Sequence, residues 1–195
     1  MAIKDLHPAF QHRQYLFRRK VLKLFGGAFH VYDEGGKVVL YSKMKAFKLR
    51  EDLRVYSDES QREELLKIKT PKILDFGATY YVTDSTTNEE IGAISRKGLK
   101  SILKDEWIFR STDGGEIGKL TEESMMGALL SRFISLIPQK YVILANNREI
   151  ASIKRHFNPL VLKFTMTIKD PEHLIDQRLL IAAGILLAGI EGRQG

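Results

Sequence analysis

Alternation of apolar and polar residues with a period of two dominates most of this chain. It is clearest over 161–168, where Val161, Lys163, Thr165 and Thr167 alternate with Leu162, Phe164, Met166 and Ile168, the pattern of a strand with one buried face. Three hairpins share a single plan. The first opens at Phe29-His30-Val31-Tyr32-Asp33, turns at Glu34-Gly35-Gly36 and returns through 38–43. The second opens at Tyr80-Tyr81-Val82-Thr83-Asp84, turns through 85–88 and returns through 91–96. The third opens at Tyr141-Val142-Ile143-Leu144, turns at Asn146-Asn147 and returns through 150–155. Each pairs an aromatic or β-branched strand with a turn of Gly, Asn or Asp, and each second strand ends on a base.

The copies extend further. Leu49-Arg50-Glu51-Asp52-Leu53 matches Leu103-Lys104-Asp105-Glu106-Trp107 in its order of apolar, base, acid, acid, apolar. A strand, a polar turn and a last strand follow each match. In the third copy, whose third strand is expected over 160–168, the fourth element is replaced by, or leads directly into, a terminal helix. Units of roughly 45–60 residues with about four strands each give about eleven or twelve strands, and the economical arrangement is a closed antiparallel barrel. Gln61 to Leu66 is expected to be a turn followed by a strand, whereas 121–137 is expected to form a helix ended by Pro138.

A barrel of this width needs a filling. The run from Leu179 to Ile190 is apolar on every side, which means burial all round. As a helix it would cover about 18 Å, against roughly 30 Å of bilayer hydrocarbon, and Asp176, Arg178, Glu191 and Arg193 bound it closely. Asp170-Pro171-Glu172 offers an N-cap, a proline and a first-turn acid, so the helix is expected over about 171–191. The small pair Gly184 and Ala188 suits either close packing inside the barrel or packing in lipid. The expected organisation is an N-terminal extension over 1–14 and one barrel domain over 15–195, mainly β, enclosing its own C-terminal helix.

Composition narrows the chemistry. The 195 residues include no cysteine, which removes disulfides, thiolate nucleophiles and Cys-based metal sites and fits a reducing cytoplasm. The charged N-terminal stretch reads as no secretion signal. No nucleophile elbow and no His-Glu-x-x-His motif occurs, and the five histidines have no metal-ligand spacing. Gly114-Gly115-Glu116-Ile117-Gly118-Lys119 has the flavour of a phosphate loop, but a β-turn explains it. The chain is therefore expected not to be an enzyme and to need no cofactor. Asp170, Glu172 and Asp176 are the weak metal candidates, for calcium, and helix capping accounts for them equally well.

The net charge is +7, and the excess sits in recurring places. Lys43, Lys45, Lys48 and Arg50 follow the first hairpin, Arg96, Lys97, Lys100 and Lys104 the second, and Lys154, Arg155 and His156 the third. Arg18, Arg19, Lys20 and Lys23 form a further group. Equivalent positions in a repeat imply equivalent places on a barrel, as bands or as one crown. Such bases attract phosphate, on anionic phospholipid or phosphoinositide-like headgroups or on nucleic acid; protection of strand ends for solubility is the alternative. Nucleic acid is the less favoured partner, because Phe47 and Trp107 are the only evident stacking residues and both fit apolar strand positions. No protein partner is indicated. The expected location is cytoplasmic, peripheral on the inner membrane surface.

Several strings resemble the phospholipid scramblase family: Lys20-Val21-Leu22-Lys23-Leu24-Phe25-Gly26, Phe29 to Asp33, Lys45 to Asp52, Ile73 to Tyr80, Arg96 to Ser101 and the Leu-rich end closing on Glu191-Gly192-Arg193-Gln194. The likeness is to bacterial scramblase-like members and extends to LURP-one-related proteins of the tubby C-terminal superfamily. It covers roughly 15–194. It implies a twelve-stranded barrel wrapped around a hydrophobic C-terminal helix. It also implies either headgroup binding by Lys and Arg or calcium-dependent lipid movement between leaflets. The cysteine-rich acylation segment of the scramblases has no counterpart here.

Overall fold

A computed structural model describes residues 6–20, 27–44, 53–70, 79–96, 106–123, 139–156, 158 and 161–191. The strands are β1 (Gln14–Lys20), β2 (Gly27–Tyr32), β3 (Val38–Met44), β4 (Leu53–Tyr56), β5 (Glu64–Lys69) and β6 (Thr79–Asp84), followed by β7 (Glu90–Arg96), β8 (Trp107–Arg110), β9 (Glu116–Glu122), β10 (Lys140–Ala145), β11 (Arg148–His156) and β12 (Val161–Ile168). Each pairs antiparallel with its sequence neighbours, and β12 pairs with β1, so the sheet closes into a barrel. Closure leaves no sheet edge open to another chain.

Turn chemistry drives the hairpins. Asn146 and Asn147 have φ of 49° and 60°, the two left-handed residues that a two-residue hairpin with the sheet's twist requires. Every hairpin with a described turn shifts register near that turn, at Val31/Tyr32, Val55/Tyr56, Val82/Thr83, Phe109/Arg110 and Ile143/Leu144. Such bulges add the local bend and twist a closed barrel needs. Gln61 to Leu66 forms a turn leading into β5, as its repeat position implies. The helix expected over 121–137 does not begin at Thr121, since that residue and Glu122 belong to β9; 124–138 lie outside the described residues.

The repeat is completed in an unexpected way. β2 to β5 and β6 to β9 are two four-strand units. β10 to β12 begin a third, and its fourth place is taken by β1, which pairs with β12 from Gln14↔Thr167 to Lys20↔Val161. The terminal helix does not stand in for that strand. It is extra to the sheet.

That helix, α1 (Gln177–Glu191), lies inside the barrel against β1, β7 and β12. Leu179 to Ala188 are all buried, Gly184 included. A Cβ on Gly184 would come 2.6 Å from Cζ of Phe17 and 3.0 Å from Cε of Met166, so the small residue serves packing within the barrel. The helix starts later than expected. The Arg178 amide donates to Asp176 Oδ1 at 2.9 Å, and the Asp176 carbonyl accepts from Leu179 and Leu180, which makes Asp176 the N-cap. Asp170-Pro171-Glu172 forms a turn instead: Asp170 Oδ2 accepts from the Ile175 amide at 3.1 Å, and His173 sits at φ 52°. The proline and acid that signal a helix start serve here to redirect the chain from the end of β12 into the barrel.

Residues 6–10 contribute Leu6, Ala9 and Phe10 to the same core. Tyr15, fully buried in β1, ties them to the helix: its hydroxyl donates to the Ala9 carbonyl and accepts from the His12 amide and Gln177 Nε2, each at 3.1 Å. Burial raises its phenol well above the usual range, outweighing these contacts. Tyr15→Phe leaves the His12 amide and one Gln177 donor unpaired and is expected to cost about 1–3 kcal/mol, read from urea unfolding curves at unchanged m-value.

Candidate functional site: the basic end of the barrel

Strand direction alternates around the barrel, so β3, β7 and β11 all finish at one end, the end to which α1 also runs. The described turns lie at the opposite end. The described bases of the three repeats, Lys43, Arg96, Lys154 and Arg155, therefore lie at this one end, on strands four apart around the ring. Lys43 and Lys154 are exposed and point outward. Arg96 and Arg155 share the inward face of Ile94 and Ile153. Arg96 lies over the Trp107 ring at 5.9 Å, and Arg155 donates to Gln139 Oε1 at 2.9 Å. Lys45, Lys48, Arg50, Lys97, Lys100 and Lys104 lie outside the described residues.

Further bases at this end were not singled out from the sequence as a site: Lys69 on β5, Lys140 on β10 and Lys163 on β12. Their signal was strand parity. Odd-numbered strands end where even-numbered strands begin, which is readable only after the twelve strands have been counted correctly. Arg18 also joins the group, on the outer face. Arg19 turns inward, lying 5.3 Å from the Phe29 ring and donating to the Gly189 carbonyl at 3.4 Å. A guanidinium beside the last turn of a helix meets the negative end of its dipole.

Among the described residues bases outnumber acids at this end, and acids outnumber bases at the other. The described acids at the basic end are Glu106, Glu122, Glu123 and, at the end of α1, Glu191, and two of them are engaged. Glu123 meets Lys140 at 2.7 Å, a bond that raises the lysine's pKa, and Glu106 meets Lys119 at 3.6 Å. The other end collects Asp33, Glu34, Asp58, Glu59, Glu63 and Asp113 in turns, with Glu64, Glu90 and Glu116 at strand starts. Glu34 shows how these acids are used. Burial alone would raise its pKa, but the Gln14 and Arg13 amides, at 2.8 and 3.0 Å, and the nearby His12 lower it overall. Such carboxylates close turns and cap strand starts.

The metal candidates each have a structural bond. Asp170 holds the Ile175 amide, Glu172 meets Arg148 at 2.8 Å, and Asp176 caps α1 and meets Arg178 at 2.7 Å. Among the described residues no group of three or more His, Cys, Asp or Glu is placed to hold a metal ion. Gly114 and Gly115 form the β8–β9 turn. Trp107 is 3% exposed inside the barrel, so it offers no surface to a nucleic-acid base, and Phe47 lies outside the described residues. No described helix is long and apolar enough to cross a membrane.

A family model described as LURP-one-related matches residues 38–188, from β3 to the penultimate turn of α1. No curated protein and no solved structure matches the chain.

Proposed function

The chain belongs to the LURP-one-related family, and from that premise we propose that it is a non-enzymatic barrel protein that binds anionic phospholipid headgroups peripherally. The observation that carries this reading is the separation of charge among the described residues: bases outnumber acids at one end and turn acids gather at the other. Near an anionic surface each base contributes about 1 kcal/mol within a Debye length of roughly 8 Å. The acidic end is repelled, so the basic end faces the headgroups. Phosphoinositide-like headgroups, with several phosphates each, suit a crown of bases best, and the inner surface of the cytoplasmic membrane supplies such lipids. A translocator that sends α1 into the bilayer would first have to uncover Leu179 to Ala188 and break the buried Arg178–Asp84 pair.

Co-sedimentation with neutral and anionic vesicles, across a salt series and with or without calcium, tests this. Binding is expected to anionic vesicles only and to vanish at high salt. Because Asp170, Glu172 and Asp176 are already bonded, calcium is expected to leave it unchanged. Lys43→Gln with Lys154→Gln is expected to weaken binding on the order of thirtyfold, at about 1 kcal/mol for each base. Equal sedimentation with neutral vesicles, or binding that survives high salt, would sink the headgroup reading.

A further inference from the structure

The outward bases of the basic end are not spread evenly around it. Arg18 on β1 stands directly opposite Lys163 on β12, and Lys163 directly opposite His156 on β11. These partners face away from the core, because Phe17 and Phe164 in the same strands point into it and are buried. Lys154, two residues from His156, is exposed on the same face. Directly opposed side chains in an antiparallel sheet have Cβ atoms about 4.5–5.5 Å apart, and like charges there are destabilising.

Among the described residues two other like-charge pairs occur across the ladder, and each has an acid on it. In Lys140↔Lys154 the first lysine meets Glu123 at 2.7 Å, and in Arg54↔Lys67 the arginine meets Glu64 at 2.6 Å. Among the described residues Arg18 and Lys163 have no ion-pair partner, and β1 and β12 contain no Asp or Glu. Three strands round the ring from β12, Lys119 of β9 is paired with Glu106. Among the described residues Arg18↔Lys163 is the one such pair with no ion pair on either member; on its other side Arg18 faces His30 of β2, which meets Glu59 at 2.7 Å.

We infer that the outer face of β11, β12 and β1 beside the basic end, centred on Arg18 and Lys163, is the place where the barrel holds a lipid phosphate. The inference rests on the headgroup reading above and locates its contact. A phosphate oxygen set placed between the two strands accepts from the Arg18 guanidinium and the Lys163 ammonium together, relieving their repulsion, while Lys154 and His156 flank it. A guanidinium supplies planar two-point recognition and an ammonium a compact charge. The barrel then meets the membrane tilted, with β1 and β12 lowest and the β6–β8 wall away from the surface.

The test compares two variants of equal charge change, using phosphatidylcholine vesicles containing phosphatidylglycerol and, as reference, phosphatidylcholine alone. Arg18→Gln with Lys163→Gln is expected to lose on the order of thirtyfold in affinity, while Lys67→Gln with Lys119→Gln stays within about threefold of the wild type. The first variant is also expected to melt at the same temperature as the wild type or higher, because a repulsion has been removed. The swap Arg18→Lys with Lys163→Arg keeps both charges and is expected to retain most of the binding, which separates lost contact from misfolding. Equal losses in the two neutralised variants overturn the location and leave the basic end as a diffuse attractor. Failure of the wild type to bind either vesicle overturns the location and the headgroup reading together.

Discussion

Arg178→Met is expected to destabilise the protein by about 3–5 kcal/mol, the cost of removing one partner from a buried ion pair. The Arg178 side chain is 3% exposed and that of Asp84 9%, and they meet at 2.6 Å where α1 enters the barrel. The guanidinium also donates from Nε and Nη2 to the two oxygens of Asp176, at 3.0 and 2.7 Å. One arginine thus joins the wall strand β6 to the helix cap. Burial alone would make Arg178 easier to deprotonate, but Asp176 and Asp84 outweigh it and hold the charge. Without the guanidinium, the Asp84 carboxylate keeps Thr86 and Thr87 as its donors among the described residues. Urea unfolding reads the loss. A change below about 1 kcal/mol would show that the helix is held by apolar packing alone.

The same pair has a signature in acid. Burial raises the Asp84 pKa, but hydrogen bonds from Thr86 and Arg178 and the arginine's charge lower it overall, below its unfolded value of 3.8. A carboxylate depressed on folding contributes its stability in full above the unfolded value and loses it as pH falls through the folded one. Asp84→Asn is therefore expected to be less stable than the wild type at neutral pH, with the gap narrowing below about pH 4. A gap that stays constant down to pH 2 would mean that the carboxylate's charge is not what Arg178 stabilises.

The second large effect is expected at Gly92, where alanine should cost about 3 kcal/mol or more. Two causes coincide there. Gly92 has φ of 147°, beside the register shift in the β6–β7 hairpin, a conformation that L side chains rarely adopt. A Cβ would also run into the backbone carbonyl oxygen of Arg110 on the neighbouring strand, with Leu179 Cδ2 at 3.4 Å behind it. A backbone carbonyl within a ladder cannot swing aside as a side-chain tip can. Gly36→Ala isolates the conformational part: its φ is 80°, but no atom lies within 4 Å of the added carbon, so about 1 kcal/mol is expected. Thermal melts of the two variants side by side test the division. Equal losses at both positions would show that the Arg110 carbonyl is not the obstacle.

Much of this architecture could be read along the chain because it rests on local rules. Alternation over 161–168 reappears residue for residue, with Leu162, Phe164, Met166 and Ile168 buried and their neighbours half-buried. The Asn146-Asn147 turn and the all-apolar helix were legible for the same reason, since turn dihedrals and uniform burial are set by residue type. The helix start was misplaced because Asp170-Pro171-Glu172 satisfies the rules of a first helical turn and those of a tight turn alike. The choice fell to Arg178, which needs Asp84 from a strand far away in sequence and brings Asp176 to the cap.

The candidate site divides along the same line. Sequence by itself determined that bases recur after the second strand of every repeat, and that the repeats form strands around an apolar helix, because periodicity and residue type act over a few neighbouring positions. Only the tertiary structure decided that β1 closes the barrel as the partner of β12. It also decided that Arg19, Arg96 and Arg155 turn inward while Lys43 and Lys154 face out, and that Arg18 comes to rest opposite Lys163. Those facts depend on register and ring closure between segments more than a hundred residues apart, and a one-residue slip in either strand would exchange every inward side chain for an outward one.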